Sequence, residues 1–434
     1  MAAPERTRVA VVGGGPAGMV LGLLLARGGI ETAVLEKHPD FLRDFRGDTV
    51  HASTLTLLDE LGLGSAFAEL PHRLMDRAEI QLDAGTVRLA DLGRSLPGLH
   101  RHVALVPQWD FLEMLADAAE REPHFTLLRS AEAVGLAHDG GRVAGVRWRD
   151  YRPTAVERSA AESKPLPEHL LAADLVVACD GRWSAVRAAA GLSAETFGAP
   201  IDVWWFRLPR HEGDPDGGVG RLSGREFMVM IDRGHEWQCG YLIAKGQDAQ
   251  LRAEGLEAFR ARLARLQPWL ADRLTRWPGS FDDVKLLDVR VERLHEWHRD
   301  GLLLIGDAAH PMSPVGGVGI NLAIQDAVAA SRIVGQWMRH APGPVPEKVL
   351  AEVQARRLPP TRLVQAFQRL AHRGVVSRAL KGTLATSATR VPLPLRLLAR
   401  FPLLQRVPAR LIAIGPRPEH APSWARRLER LEPR

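Results

Sequence analysis

Cysteine is nearly absent from this sequence, since Cys179 and Cys239 are the only two in 434 residues. Two cysteines are too few for a disulfide framework, and they lack the spacing of metal ligands. The tight histidine clusters at 100–102 and 295–298 also lack the H-E-x-x-H spacing of zinc enzymes. We therefore expect no disulfide and no metal ion. We also expect a cytoplasmic protein, because nothing in the chain needs oxidation to fold.

Long hydrophobic runs are missing as well. The most apolar stretch, Val9–Leu25, is interrupted by glycines and a proline. It falls short of the roughly 18 uninterrupted apolar residues of a membrane-spanning helix, and no cleavage site follows it. The formal net charge is +6, but its basic residues are scattered and form no dense tract. We therefore expect neither an integral membrane segment nor a nucleic-acid partner.

The first feature that is present is a phosphate-binding pattern. A β-branched run at Thr7–Val12 is followed by glycines at 13, 15 and 18 and by an Ala/Leu-rich segment. In G-x-G-x-x-G spacing, the first glycine makes a tight turn, the second admits a pyrophosphate and the third lets helix and strand pack closely. A second strand, Glu31–Glu36, ends in an acid that can accept both ribose hydroxyls of an adenosine. Since that acid disfavours a 2′-phosphate, the pattern predicts NAD or FAD at this site, not NADPH.

Two later strands also end in an aspartate. Ala173–Cys179 precedes Asp180-Gly181, and Gly301–Ile305 precedes Gly306-Asp307. Open α/β sheets bind ligands at the carboxyl ends of their strands, where a short acid can accept a sugar or ribityl hydroxyl. A glycine-rich loop, Pro314–Asn321, then leads into a predicted helix whose N-terminus can face a flavin.

These three motifs, in this order and spacing, resemble the FAD-dependent aromatic hydroxylases of the para-hydroxybenzoate hydroxylase group over about Thr7–Trp337. The resemblance implies non-covalent FAD and catalytic residues Pro314, Gly319, Ile320 and Asn321, which line the flavin ring and the side where oxygen reacts. By motif position and by resemblance, the predicted cofactor-binding residues are Gly13, Gly15, Pro16, Ala17, Gly18, Glu36, Lys37, Arg46, Gln108, Asp180, Gly181, Gly306, Asp307, Pro314, Gly317, Gly319, Ile320 and Asn321.

The fold class expected is α/β, with a Rossmann-type three-layer FAD-binding domain, an inserted antiparallel sheet that carries the substrate pocket, and a C-terminal helical segment. We assign 1–72, 97–190 and 280–340 to the FAD domain and 73–96 with 191–279 to the sheet domain. Aromatic residues alternate along the predicted strands Asp202–Pro209 and Trp237–Ile243, so only half can face the pocket. Trp205 and Gln238 are the substrate-binding candidates.

The segment 341–434 changes character, because prolines at 342, 344 and 346 precede leucine clusters that alternate with arginine and proline. The residue pattern of Glu347–Arg378 predicts one or two amphipathic helices. We expect a lid over the FAD domain. A homodimer contact and a peripheral contact with a membrane stay open as alternatives.

The resemblance implies a monooxygenase that hydroxylates an electron-rich aromatic or polyketide-like small molecule with O2 and NADH or NADPH, through a flavin C4a-hydroperoxide. An FAD-dependent oxidoreductase without oxygen insertion and a non-catalytic FAD-binding protein are the alternatives. The Trp-x-Trp-x-Ile-Pro motif of flavin halogenases is absent. No second G-x-G-x-x-G unit is predicted, because no helix pattern follows Gly218–Gly220. The nicotinamide donor should therefore bind transiently, helped by arginines such as Arg46.

Tyrosine is also scarce in this sequence, since Tyr151 and Tyr241 are the only two. Some phenol hydroxylases of this group deprotonate their substrate through tyrosines. We expect no tyrosine relay here. Either a histidine takes that role or the substrate is already electron-rich.

Overall fold

The structure is a computed structural model that describes residues 4–42, 49–151, 166–215, 217–377, 396–397 and 400–427. Its strands, in chain order, are β1 Arg6–Val12, β2 Thr32–Leu35, β3 Thr49–Val50, β4 Arg73–Met75, β5 Arg77–Leu82, β6 Gly85–Asp91, β7 Val103–Leu105, β8 Phe125–Leu128, β9 Ala131–Asp139, β10 Arg142–Asp150, β11 His169–Ala178, β12 Ala194–Thr196, β13 Ile201–Pro209, β14 Gly218–Ser223, β15 Glu226–Asp232, β16 Glu236–Ala244, β17 Lys285–Leu287, β18 Glu292–Leu294, β19 His298–Arg299 and β20 Leu302–Leu304.

The α-helices of the described residues are α1 Pro16–Arg27, α2 Ala52–Glu60, α3 Gly64–Glu69, α4 Leu92–Ser95, α5 Gln108–Glu120, α6 Ala185–Ala189, α7 Asp248–Ala253, α8 Leu256–Leu266, α9 Gly319–His340, α10 Glu347–Ala371 and α11 Pro402–Ala413. A π-helical turn, His372–Val376, extends α10. None of these helices is long and apolar enough to cross a membrane.

The first sheet has the strand order β19-β20-β11-β1-β2-β8, and the β9–β10 hairpin pairs with β11. The pairs that join β20, β11, β1, β2 and β8 are all parallel. Val9 and Val11 of β1 pack into the core that contains α1 and α9, while Ala10 and Val12 pack on the opposite face. A strand buried on both faces needs a continuous apolar run, which the sequence supplies. The predicted strands of this sheet are confirmed.

The second sheet has the order β17-β13-β16-β15-β14-β5-β6 and is antiparallel except for the parallel pair of β14 with β5. Trp204 and Trp237 of this sheet pack with Phe259 of α8 in a separate core. The predicted alternation is confirmed, because Trp205 and Gln238 lie on the other face. Strand β17 lies outside the interval 191–279 predicted for this sheet, since Lys285–Leu287 pairs with β13 along its edge.

The C-terminal part is helical, as predicted. Helix α10 continues through Pro359 and Pro360 and packs against α9. Helix α11 packs against β6 and α4, beside the second sheet. Most of the first leucine cluster of this segment, residues 391–402, lies outside the described residues.

Candidate active site

The glycine turn between β1 and α1 has two kinds of glycine. A Cβ on Gly13 (φ +104°) would lie 2.5 Å from the Cys179 carbonyl oxygen, and one on Gly18 would lie 1.9 Å from the Gly13 carbonyl oxygen. These two are therefore required by backbone packing. A Cβ on Gly15 would meet no atom within 4 Å, and Gly15 lines a large cavity together with Pro16 and Ala17. The N-terminus of α1 faces that cavity, where its free N–H groups can bind a phosphate.

At the end of β2, Glu36 is fixed beside this turn. Its carboxylate accepts hydrogen bonds from the Gly14 N–H at 3.0 Å and from the His38 N–H at 2.9 Å. Lys37 pairs with Glu132 at 2.7 Å and lies 4.6 Å from the centroid of the Tyr151 ring. Both Glu36 and Lys37 line the cavity, so an acid stands where the ribose of a dinucleotide would lie.

At the end of β11, Asp180 has one oxygen engaged and one without a partner. Oδ2 accepts a hydrogen bond from the Val186 N–H at 3.1 Å, whereas Oδ1 is buried and unpaired within the described residues. Burial raises the pKa of Asp180. A buried acceptor without a donor is costly, so this oxygen suits a ligand hydroxyl. Gly181 beside it has φ +82°, and a Cβ there would meet no atom within 4 Å.

At the end of β20, Asp307 lies in a 3-10 turn, Gly306–Ala308, but does not cap it, since the capping position is Ile305. Its Oδ2 lies 3.5 Å from the Arg182 guanidinium, which joins the second motif to the third. Gly306 donates its N–H to Asp326 Oδ2 of α9 at 3.2 Å. This hydrogen bond fixes the turn to α9, and Gly306 and Asp307 line the cavity.

A buried charged cluster behind this turn is missing from the sequence prediction. Asp326 also contacts His310 Nε2 at 2.5 Å and Arg357 Nε at 2.8 Å, and Arg357 reaches Glu419 at 3.4 Å. The side chains of Asp326, Arg357 and Glu419 are fully buried. Although burial raises the pKa of Asp326, its interactions with His310 and the Arg357 guanidinium outweigh burial and lower that pKa overall. The cluster joins the C-terminal segment to the Gly306 turn.

The loop before α9 brings Pro314 and Gly317 to the cavity wall, and the first turn of α9 brings Gly319 and Ile320. Asn321 is the next residue of α9, and its side chain contacts protein groups instead. Its Oδ1 accepts hydrogen bonds from the His51 N–H at 2.9 Å and Thr54 Oγ1 at 2.7 Å, and its amide donates to the Thr49 carbonyl at 3.0 Å. Because these bonds fill both ends of the amide, the Asn321 side chain fixes the start of α9 to β3 and α2 and does not line the large cavity. The predicted role of Asn321 at the flavin stays a prediction.

Three further predicted positions differ in outcome. Gln108, the first residue of α5, lines the cavity. Gly18 does not line it and serves the packing of α1 on β1. Arg46 lies outside the described residues, so its role stays a prediction.

The cavity continues from the glycine turn to the second sheet and has a volume of about 1260 Å³. Single small-molecule pockets measure roughly 300–1,000 Å³, so a dinucleotide and a second molecule can share this space. Trp205 and Gln238 line it, and the side-chain oxygen Oε1 of Gln238 accepts two hydrogen bonds from the Arg233 guanidinium at 2.9 Å. Apolar side chains form most of this end: Ile80, Leu222, Phe227, Val229, Met230, Ile231 and Leu242.

A serine–histidine pair also lies at the cavity and was not predicted. Ser313 lines the cavity directly before Pro314, and its Oγ lies 2.8 Å from His372 Nε2. Both residues are 2% exposed. Tyr241 lies in the core behind the second sheet, where burial raises its pKa to about 12.

The parallel strands of the first sheet place the glycine turn, Glu36, Asp180 and Asp307 around one cavity, and the second sheet lies on its other side. This arrangement defines a flavoprotein with two sheets. The chain belongs to the FAD binding domain family, whose match covers residues 6–365. The resemblance to FAD-dependent aromatic hydroxylases and the predicted fold class are thus confirmed. The open Gly15 and the unpaired Asp180 oxygen fit FAD.

Similar proteins support the same class. The chain is 33% identical over 393 residues to 6-methylpretetramide 4-monooxygenase of Streptomyces rimosus, covering 89% of this chain and 90% of that protein. The anhydrotetracycline hydroxylase OxyS of Streptomyces rimosus has the same fold, with a TM-score of 0.69, 24% identity, and coverage of 94% of this chain and 76% of that one. A PqsL variant of P. aeruginosa aligns with a TM-score of 0.72 and 20% identity, covering 88% and 100%. The chain is an FAD-dependent monooxygenase.

Proposed function

We propose that this monooxygenase hydroxylates a polycyclic, polyketide-like aromatic compound, with electrons from NADH or NADPH. The observation that carries the proposal is the single cavity that joins the glycine turn to an apolar wall on the second sheet. Its size leaves room for a fused-ring molecule beside FAD, and the relative that is 33% identical is named for a substrate of that kind.

Bound FAD supplies the activation of O2 and the transfer of one oxygen atom, and the protein supplies binding and orientation. The N-terminus of α1, Glu36, Asp180 and Asp307 would hold the dinucleotide. Trp205 and the apolar side chains around it would orient the substrate ring and exclude water. Among the described residues of the second sheet and its turns, Glu79 and Asp83 are the only charged ones that line the cavity. This mainly apolar lining favours an uncharged ring system.

Ser313 and His372 give the site a path for a proton. Burial lowers the pKa of His372, so the imidazole is neutral at pH 7 and Nε2 can accept a hydrogen bond from Ser313 Oγ. When a phenolic substrate donates its proton to Ser313 Oγ, Ser313 would in turn donate its own hydroxyl proton to His372 Nε2. His372 does not line the cavity and acts through Ser313.

Replacing His372 with glutamine is expected to slow hydroxylation about 100-fold, within the usual range for general acid–base catalysis. The wild-type rate should fall as the pH drops below 6.5 through the lowered pKa of His372, because the protonated ring cannot accept the proton. His372→Gln and Ser313→Ala should both lose this acid limb in single-turnover traces. His420→Gln, an exposed control, should keep it. An unchanged acid limb in His372→Gln would contradict the relay.

The nicotinamide nucleotide would bind transiently, because within the described residues Gly218–Ser223 forms a strand of the second sheet and not a second nucleotide turn. A filled substrate pocket can then favour the flavin arrangement that accepts electrons. We expect 6-methylpretetramide or a related fused-ring phenol to raise NAD(P)H oxidation at least tenfold, about 1.4 kcal/mol in barrier. If no compound in a panel of such phenols raises the rate, the proposed substrate class is wrong.

A further inference from the structure

The charge of the chain is unevenly distributed. Residues 353–418 contain thirteen lysines and arginines and no aspartate or glutamate. Because the whole chain carries +6, the remainder carries a net −7. The basic excess therefore resides in the C-terminal part, which includes helix α11.

Helix α11 buries only one of its faces. Gln405, Ala409 and Ala413 are buried against the protein. On the outward face, the exposed fractions are 68% for Leu403, 51% for Leu404 and 71% for Val407, and Phe401 directly before the helix is 52% exposed. Monomeric soluble proteins rarely expose such a contiguous apolar patch without a partner.

Arginines border the same patch. Arg400, Arg406 and Arg410 are exposed, and none of them forms an ion pair within the described residues. We name the surface made by Phe401, Leu403, Leu404, Val407 and these three arginines the α11 surface. An apolar face bordered by basic side chains is typical of a helix that lies in the plane of a membrane interface.

The inner side of α11 belongs to the active-site cavity, because Pro408 and Ile412 line it. One helix thus has its outer face toward solvent and its inner face on a cavity with a mainly apolar wall. A membrane on the outer face would bring the lipid phase, where apolar aromatic compounds concentrate, next to the cavity.

We propose that the α11 surface docks this enzyme on an anionic lipid bilayer. The charge argues for lipid over a second copy of the chain, since pairing two α11 surfaces would bring arginines against arginines. It also argues against a nucleic acid, which offers nothing for the leucines and the valine to bury against. Apolar insertion and attraction to anionic headgroups both contribute to binding of this kind.

The test is co-sedimentation of the full-length, FAD-loaded protein with vesicles of phosphatidylcholine alone or with added phosphatidylglycerol. We expect at least about tenfold tighter binding to the anionic vesicles and weaker binding at high salt. Leu403→Ser with Val407→Ser, and separately Arg406→Gln with Arg410→Gln, should each lower binding at least fivefold, about 1 kcal/mol for each double variant. Both variants should retain the FAD absorbance of the wild type.

Leu170→Ser and Arg147→Gln are the matched controls, since Leu170 is 55% exposed and the Arg147 side chain 53% exposed on the paired strands β10 and β11 of the first sheet, outside the α11 surface. Both controls should bind vesicles like the wild type. The proposal is overturned if the wild type does not bind anionic vesicles, or if the α11 variants bind as well as the controls. It is also overturned if the α11 variants instead convert a dimer to a monomer in light scattering, because the occupant would then be a second copy.

Discussion

Gly15→Val is expected to abolish FAD retention while the protein without FAD stays folded. The backbone at Gly15 has φ −71° and ψ −178°, which valine adopts readily, and a Cβ there meets no protein atom within 4 Å. The added methyl groups would therefore occupy only the cavity beside the N-terminus of α1, where a pyrophosphate would lie. We expect FAD affinity to fall at least about 100-fold, roughly 2.7 kcal/mol.

Gly18→Ala is the counterpart that separates binding from folding. Its Cβ would lie 1.9 Å from the Gly13 carbonyl oxygen, so α1 must move away from β1 and the fold should lose stability. Urea unfolding of the protein without FAD should thus be near wild type for Gly15→Val and shifted for Gly18→Ala, while fluorescence titration measures FAD affinity. If Gly15→Val bound FAD like the wild type, the cofactor would not lie against this turn.

Arg357→Met is expected to destabilise the fold by about 3–5 kcal/mol, the usual cost of removing one partner of a buried ion pair. Arg357 is fully buried and contacts Asp326, Glu419 and the Arg417 carbonyl. Methionine replaces the aliphatic part of the arginine side chain but would leave Asp326 without its guanidinium partner, whereas Glu419 would keep Arg332 and Arg356. Because Asp326 also holds the Gly306 N–H, the flavin-binding turn should loosen together with the fold.

Arg362→Met is the matched control, since Arg362 is exposed on the same helix. Its free energy of unfolding should stay within about 0.5 kcal/mol of the wild type. Denaturant unfolding of both variants, with and without FAD, measures the difference. A loss below about 1 kcal/mol for Arg357→Met would mean that the buried cluster does not stabilise this fold.

Local patterns were enough to predict the part of the site that the first sheet carries. Strand β1, the glycine turn, α1 and Glu36 follow each other within 31 residues, from Arg6 to Glu36, so spacing and periodicity describe them. The same holds for Asp180 and Asp307, each directly after a buried strand. The alternation of Trp204 and Trp205 followed from the two-residue period of a strand.

Contacts between distant segments could not be predicted in this way. Ser313 and His372 are 59 residues apart, and Arg357 and Glu419 are 62 apart, so no local spacing joins them. The Asn321 position was found by its motif, but spacing cannot tell whether an amide faces the cavity or the supporting loop. The edge strand Lys285–Leu287 is too short for periodicity to place it in a sheet.

The most direct test of the proposed function is hydroxylation under 18O2, followed by mass spectrometry of the product. The purified, FAD-loaded enzyme is given NADH or NADPH and the fused-ring phenol that most stimulates nucleotide oxidation. We expect a product that contains one 18O atom in a new hydroxyl group. An oxidised product without 18O would contradict oxygen insertion and assign the chain to FAD-dependent oxidoreductases that remove hydrogen only.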